Sequence, residues 1–244
     1  MTFMSTIEKW NKLWRDYLYL RESSGQKLVC MGTYNYADIQ IEKYKEPILD
    51  LGCGDFECID KLIGSDKIYI IGLDISDLAL SYAKKHVNDN RDFVNSVASY
   101  LPFKEKVFGT IICSSLMHYP EVECENTLME CHRILKDEGD LILSVRHKEY
   151  YLGINNLKRV QLREDKNVYS RSDGKPLTKE ASSLRLFDED GISEVVEKLG
   201  FAIVSQEVKT AQENFDCSPY EPYHRDIRSS KAKTDIYLHL VKKL

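Results

Sequence analysis

The chain has 244 residues, 43% of them hydrophobic and 30% charged, with a net charge of −5, which suits one large soluble-type domain with a substantial core. That acidic balance argues against a surface built to hold nucleic-acid phosphates, although it leaves room for a local basic patch. Apolar stretches such as Ile68–Leu73 are too short to span a bilayer, and Met1 to Asp16 is polar with two tryptophans, so neither a membrane span nor a signal peptide is expected.

At the start, Ile7, Trp10, Leu13, Trp14, Tyr17 and Leu18 recur at helical spacing and predict an amphipathic helix over residues 5–22. A looser stretch to residue 40 contains Tyr34 and Tyr36. From Pro47 the pattern alternates. Ile48–Leu51 reads as a buried strand ending on Gly52-Cys53-Gly54, and a helix follows to about Ile63. Ile68–Leu73 is a second strand that stops at Asp74, with Ser76 or Asp77 able to cap the helix Leu78–His86. Strands are expected at Phe93–Val97, Val107–Ser114 and Asp140–Val145, with a helix at Val122–Leu135 before the last of them. Residues 147–185 read as polar and irregular. A turn and helix span Phe187–Leu199, and the final strands are Phe201–Val208 and Thr234–Lys242. Strands alternating with helices predict an α/β fold, a mostly parallel sheet with helices on both faces.

Seven cysteines without a regular framework predict reduced thiols and a cytoplasmic protein. Neither Cys53 with Cys58 nor Cys124 with Cys131 has compact zinc spacing, so no metal is expected.

The strongest chemical signal is ILDLGCG at 48–54 followed, twenty residues after Gly54, by Asp74 at a strand end. Glycines at a strand-to-helix turn let backbone approach a ligand, and the distant carboxylate can accept from both ribose hydroxyls. Any adenosine cofactor is served by that arrangement. Glu57, standing where a dinucleotide site needs a small residue, would repel a pyrophosphate. Asp50 suits a cofactor carrying sulfonium and ammonium charges. The second half lacks another mononucleotide-binding unit. These three features favour S-adenosylmethionine, with S-adenosylhomocysteine as its product, over a nicotinamide dinucleotide.

Over residues 47–145 the chain resembles the class I, type 11 methyltransferase domain. ILDLGCGDF resembles its first motif and IIGLDIS its second; LPFKEKVFGTIICSSLMHY and ECHRILKDEGDLILSV resemble the segments around its fourth and fifth strands. The resemblance implies a three-layer, Rossmann-like sheet of seven strands with the last antiparallel. One domain would then comprise an N-terminal helical cap (1–46), a cofactor-binding core (47–146) and substrate-side insertions with the final helix and strands (147–244). It also implies that Asp50, Gly52, Cys53, Gly54, Asp74, Ile75, Val97, Ala98 and Ser114 bind the cofactor. Three positions depart from the family pattern. Phe56 replaces a frequent third glycine, tolerable if the backbone there stays helical; Val97 replaces an acidic residue, and Gly109 an aspartate.

For the acceptor, His118 is the candidate catalytic base, just past the fourth strand. Tyr34, Tyr36, Tyr119, Arg146, His147, Tyr220, Tyr223 and His224 are candidates for a substrate lid, carried by segments that should emerge over the cofactor. No Asn-Pro-Pro-Tyr-like motif stands near Ser114–Met117, and Cys113 has no preceding proline, which argues against DNA-base methylation. A small-molecule acceptor, methylated at oxygen or nitrogen, is expected. The alternatives are an RNA or protein methyltransferase and a cofactor-binding regulatory protein without turnover. Oligomeric state is not legible.

Overall fold

The computed structural model describes residues 3–24, 36–37, 44–63, 68–87, 91–149, 152, 162–165, 167–175, 177, 183–210 and 233–243. Tyr34, Tyr220, Tyr223 and His224 lie outside them. Helix α1 spans Phe3–Ser24; β1 is Ile48–Leu51, α2 Glu57–Ile63, β2 Ile70–Asp74, α3 Asp77–His86 and β3 Arg91–Asn95. Then come β4 at Phe108–Cys113, α4 at Cys124–Ile134 and β5 at Leu135–Arg146. An insertion holds β6 (Leu162–Asp165), β7 (Val168–Arg171) and β8 (Ser183–Arg185). Helix α5 (Glu189–Lys198), β9 (Phe201–Thr210) and β10 (Lys233–Lys242) complete the described elements.

Seven strands form one sheet in the order β3-β2-β1-β4-β5-β10-β9. Pairings from β3 through β5 are parallel. Strand β10 runs antiparallel to both β5 and β9, so β9 returns to the common direction.

Alternation along the strands sorts side chains onto two faces. Leu49, Leu51, Ile111, Leu141 and Leu143 pack with Leu128, Cys131 and Ile134 of α4 and Ile192 and Val196 of α5. Ile48, Ile70, Ile112 and Ile142 point the other way, onto Ile59 and Ile63 of α2 and Leu80 and Ala83 of α3. Burial on both faces explains why β1 and β4 are mostly apolar, with Asp50 and Thr110 as their buried polar residues. Among the described residues no helix is long and apolar enough to cross a membrane.

Local chemistry sets the element ends. Ser76 caps α3, its hydroxyl accepting from the Ala79 amide, and Lys84, Lys85 and His86 occupy the last turn. Asp188 caps α5 by accepting from the Gly191 amide. Gly109 leaves room for a chain crossing: a Cβ there would meet the Lys45 carbonyl oxygen at 2.4 Å, and its amide donates to Pro47 O. An aspartate could not occupy that position without moving residues 45–47.

Two expectations need correction. Residues 147–185 are not wholly irregular, because β6, β7 and β8 pair into a three-stranded antiparallel sheet. Phe56 is not helical: its φ is 62°, a left-handed conformation that only glycine adopts without steric cost. The ring compensates by burying fully and meeting Phe93 edge-on, centroids 5.0 Å apart. Gly72 makes the space, since a Cβ there would come within 2.9 Å of both Cys53 Sγ and Phe56 Cδ2.

Candidate active site

Parallel register brings Leu51, Leu73, Cys113 and Leu143 level, so the loops after β1, β2, β4 and β5 open at one carboxyl edge. The strand order reverses between β1 and β4, the switch point where open α/β sheets hold ligands.

At this edge Gly52 and Gly54 have φ of 77° and 55°, which glycine adopts without steric cost. The Gly52 and Cys53 amides donate to Leu73 O at 2.8 and 3.0 Å, fastening the turn to β2. Asp74 reaches back across it. Its Oδ2 accepts from the Gly54 amide at 3.0 Å and its Oδ1 from the Ser76 amide at 2.8 Å. Burial raises the Asp74 pKa, while those amide hydrogen bonds oppose the rise. Asn95 anchors the next turn by donating to the carbonyls of Asp74 and Ile75. Ile75, Val97, Ala98 and Ser114 line the same edge, each half-buried. Asp50 lies fully buried in β1 beneath the turn.

Two positive-φ glycines, with Leu116 and Trp14 packed where their Cβ atoms would stand, a carboxylate beside them and a buried acid below are groups that fit a ligand with a ribose and a short cationic chain. Cys53 is buried and its thiol pushed well above its ordinary pKa, first by burial and then by Asp74 and Asp50. It stays protonated and serves the turn as a packing group.

Helix α1 was legible as amphipathic, but its partners were not. Residues Trp10, Trp14, Tyr17 and Arg21 share one face, which lies on the carboxyl-edge loops. Arg21 pairs with Asp55 at 2.5 Å and Glu57 at 2.6 Å, while Tyr17 donates to Asp55 at 3.3 Å. Asn11 accepts from the Ser76 hydroxyl and donates to Asp77. Trp10 meets Tyr119 edge-on at 4.6 Å, and Lys9 pairs with Glu121. The helix thus spans loops after β1, β2 and β4.

His118 follows β4 and is buried, with its ring against Tyr119 at a centroid distance of 4.0 Å. Among the described residues its Nδ1 has no hydrogen-bond partner. Burial, and secondarily the positive charge of Arg146, hold its pKa well below the ordinary imidazole value. The ring is therefore neutral at neutral pH, its lone pair free of a proton but only weakly basic. Its loop is held from the insertion by β8: the Arg185 amide donates to His118 O at 2.7 Å, and its guanidinium donates to Val122 O at 2.7 Å. Nothing in the local sequence marked Arg185.

The remaining lid candidates separate. Arg146, at the end of β5, pairs with Asp235 at 2.6 Å. His147 is buried, one ring nitrogen 3.0 Å from Glu189 and the other accepting from the Glu149 amide, so it braces the entry to α5. Tyr36 is buried. Its hydroxyl is 2.7 Å from Ser205 Oγ and its ring packs on Tyr237, in the core beneath β9 and β10. Among the described residues no three His, Cys, Asp or Glu side chains converge as a metal site.

Residues 48–139 match a family described as a methyltransferase domain. Residues 48–139 thus carry a methyltransferase domain, and the fold around it is that of S-adenosylmethionine-dependent methyltransferases. A probable methyltransferase of Arabidopsis thaliana, PMT28, is 34% identical over 111 residues. That match covers 44% of this chain and only 15% of the plant protein. Among solved structures, a possible histamine N-methyltransferase from Thermotoga maritima superposes with a TM-score of 0.62 at 18% identity, covering 97% of this chain and 99% of its own. The 1,6-didemethyltoxoflavin-N1-methyltransferase of Burkholderia thailandensis, solved with its acceptor and S-adenosylhomocysteine, gives 0.61 at 13% identity over 95% of this chain and 88% of its own. At such identities the structural likeness establishes the methyltransferase fold.

Proposed function

We propose that the protein transfers a methyl group from S-adenosylmethionine to an oxygen or nitrogen of a small-molecule acceptor. The observation that carries this reading is the position of α1 across the site, tied to three of its loops and presenting Trp10 and Trp14 to them. A covered, aromatic-walled mouth suits a compact acceptor better than a polymer. Two similar folds are named for small nitrogen acceptors, which supports the same reading.

When bound, S-adenosylmethionine supplies a methyl group already activated on a sulfonium. The chain's task is then positioning, which can contribute about 7–11 kcal/mol when reacting groups are held near contact. In this reading Asp74 holds the ribose hydroxyls, the Gly52–Gly54 turn carries the methionine portion, and Ile75, Val97 and Ala98 line the adenine end. Val97 offers no side-chain acceptor to an adenine amino group, so backbone has to serve. His118, kept neutral by burial and Arg146, takes the proton released by a hydroxyl or protonated nitrogen acceptor.

The test is incubation of the protein with methyl-labelled cofactor and, separately, metabolite extract, RNA and protein. Label in the metabolite fraction is expected; transfer confined to RNA or protein contradicts a small acceptor. Cofactor binding with no transfer to any fraction would leave a regulatory protein. With the acceptor in hand, His118→Ala should lower turnover by about 10²–10⁴-fold while sparing cofactor affinity; unchanged turnover removes His118 as base.

A further inference from the structure

The chain has two tryptophans, both on α1, and Trp14 lies on the glycine turn itself. A Cβ added to Gly54 would stand 2.5 Å from its Cζ2 and 2.8 Å from its Cη2. The indole therefore occupies the space a side chain at 54 would take. It is half-buried, and Tyr17 braces it edge-on at 5.1 Å. The pairing of Arg21 with Asp55 and Glu57, one and two turns further along the same face, fixes α1 in that position.

The methionine end of the cofactor brings a sulfonium and an ammonium to this turn, and both need compensation. The carboxylates beside the turn already have partners: Asp55 with Arg21, Tyr17 and the Glu57 amide, Asp74 with the amides of Gly54 and Ser76. An indole π face attracts a cation without a dedicated hydrogen-bond geometry, and tryptophan does so best of the aromatic side chains. It also keeps carboxylate lone pairs away from an electrophilic methyl group.

We propose that Trp14 is a cofactor-binding residue that recognises the cationic methionine end of S-adenosylmethionine; the assignment rests on the functional reading above. Cation recognition separates the two forms of the cofactor, because S-adenosylhomocysteine keeps the ammonium but has lost the sulfonium charge. Calorimetric titration of the full chain should show Trp14→Leu weakening S-adenosylmethionine by about tenfold and S-adenosylhomocysteine by clearly less, with Trp14→Phe between leucine and wild type. Equal losses for both ligands, or no loss, overturn the assignment. Should Trp14→Leu fail to fold, Trp10→Phe leaves Trp14 as the sole tryptophan, and its emission should change more on adding S-adenosylmethionine than S-adenosylhomocysteine; an unchanged or equal response overturns the proposal. Wild-type protein that binds neither ligand refutes the functional reading, and this assignment with it. Binding by the wild type without discrimination at Trp14 refutes the assignment alone.

Discussion

Phe56 shows how a single side chain can outweigh its backbone. Left-handed φ costs a non-glycine residue about 1–2 kcal/mol, whereas truncating a buried phenylalanine costs about 3–5 kcal/mol. Ring burial against Phe93 and Gly72 wins. Phe56→Gly should therefore destabilise less than Phe56→Ala by about 1 kcal/mol, because only glycine relieves the strain. Urea midpoints of the two variants check this, and the opposite order contradicts it. Residue type alone could not disclose the conformation, since nothing about a phenylalanine signals positive φ. Gly109 was equally opaque, its reason being a chain segment more than sixty residues away.

His118 carries a pH consequence at the same scale. Its folded pKa lies well below the ordinary value, so as pH falls below about 6.5 the unfolded chain binds a proton the native state refuses. More protons in the unfolded state mean that stability falls with falling pH, by up to about 1.4 kcal/mol per pH unit. His132 is shifted in the same direction, first by burial, and remains in both proteins under comparison. The loss of stability between pH 7 and 5 should be shallower in His118→Phe than in wild type. Identical slopes of denaturation free energy against pH would contradict a buried neutral His118.

Among the elements, α1 is the one whose existence was legible while its role was not. Apolar spacing predicts the helix and its wet and dry faces, but Arg21, Asn11 and Lys9 gave no sign of the loops they would reach. Replacing Arg21 strands Asp55, which is buried, and Glu57 without their cation. Arg21→Met should cost about 2–3 kcal/mol, somewhat less than the loss for a fully buried pair, and should raise hydrogen exchange of the 52–57 amides. Protection unchanged across that turn would show that α1 does not hold it. Strands β6 to β8 escaped sequence reading for a different reason. LRED, VYSR and SLR are too short and polar to show an apolar alternation; their pairing rests on hydrogen bonding, the buried Tyr169–Leu184 pair and docking on the His118 loop. By contrast the glycine turn, Asp74 and the Ser76 cap were legible because each is a local rule: positive φ, strand-end carboxylate, helix cap.

At the scale of the whole molecule, the rhythm of apolar strands and helices predicts a mostly parallel sheet and the resemblance adds a last, antiparallel strand, whereas the strand order, with β10 between β5 and β9, belongs to the structure. That topology gathers loops more than sixty residues apart at one edge, where the glycine turn, Asp74 and His118 stand beneath α1. The acceptor is harder to read because it meets loop side chains, whose arrangement depends on long-range packing rather than on periodicity. The cofactor site can be tested without knowing it. Titration calorimetry of the wild-type chain with S-adenosylhomocysteine should give saturable one-to-one binding at micromolar concentrations, with no comparable heat from a nicotinamide dinucleotide. No binding at high micromolar S-adenosylhomocysteine, or tight binding of the dinucleotide instead, would contradict it.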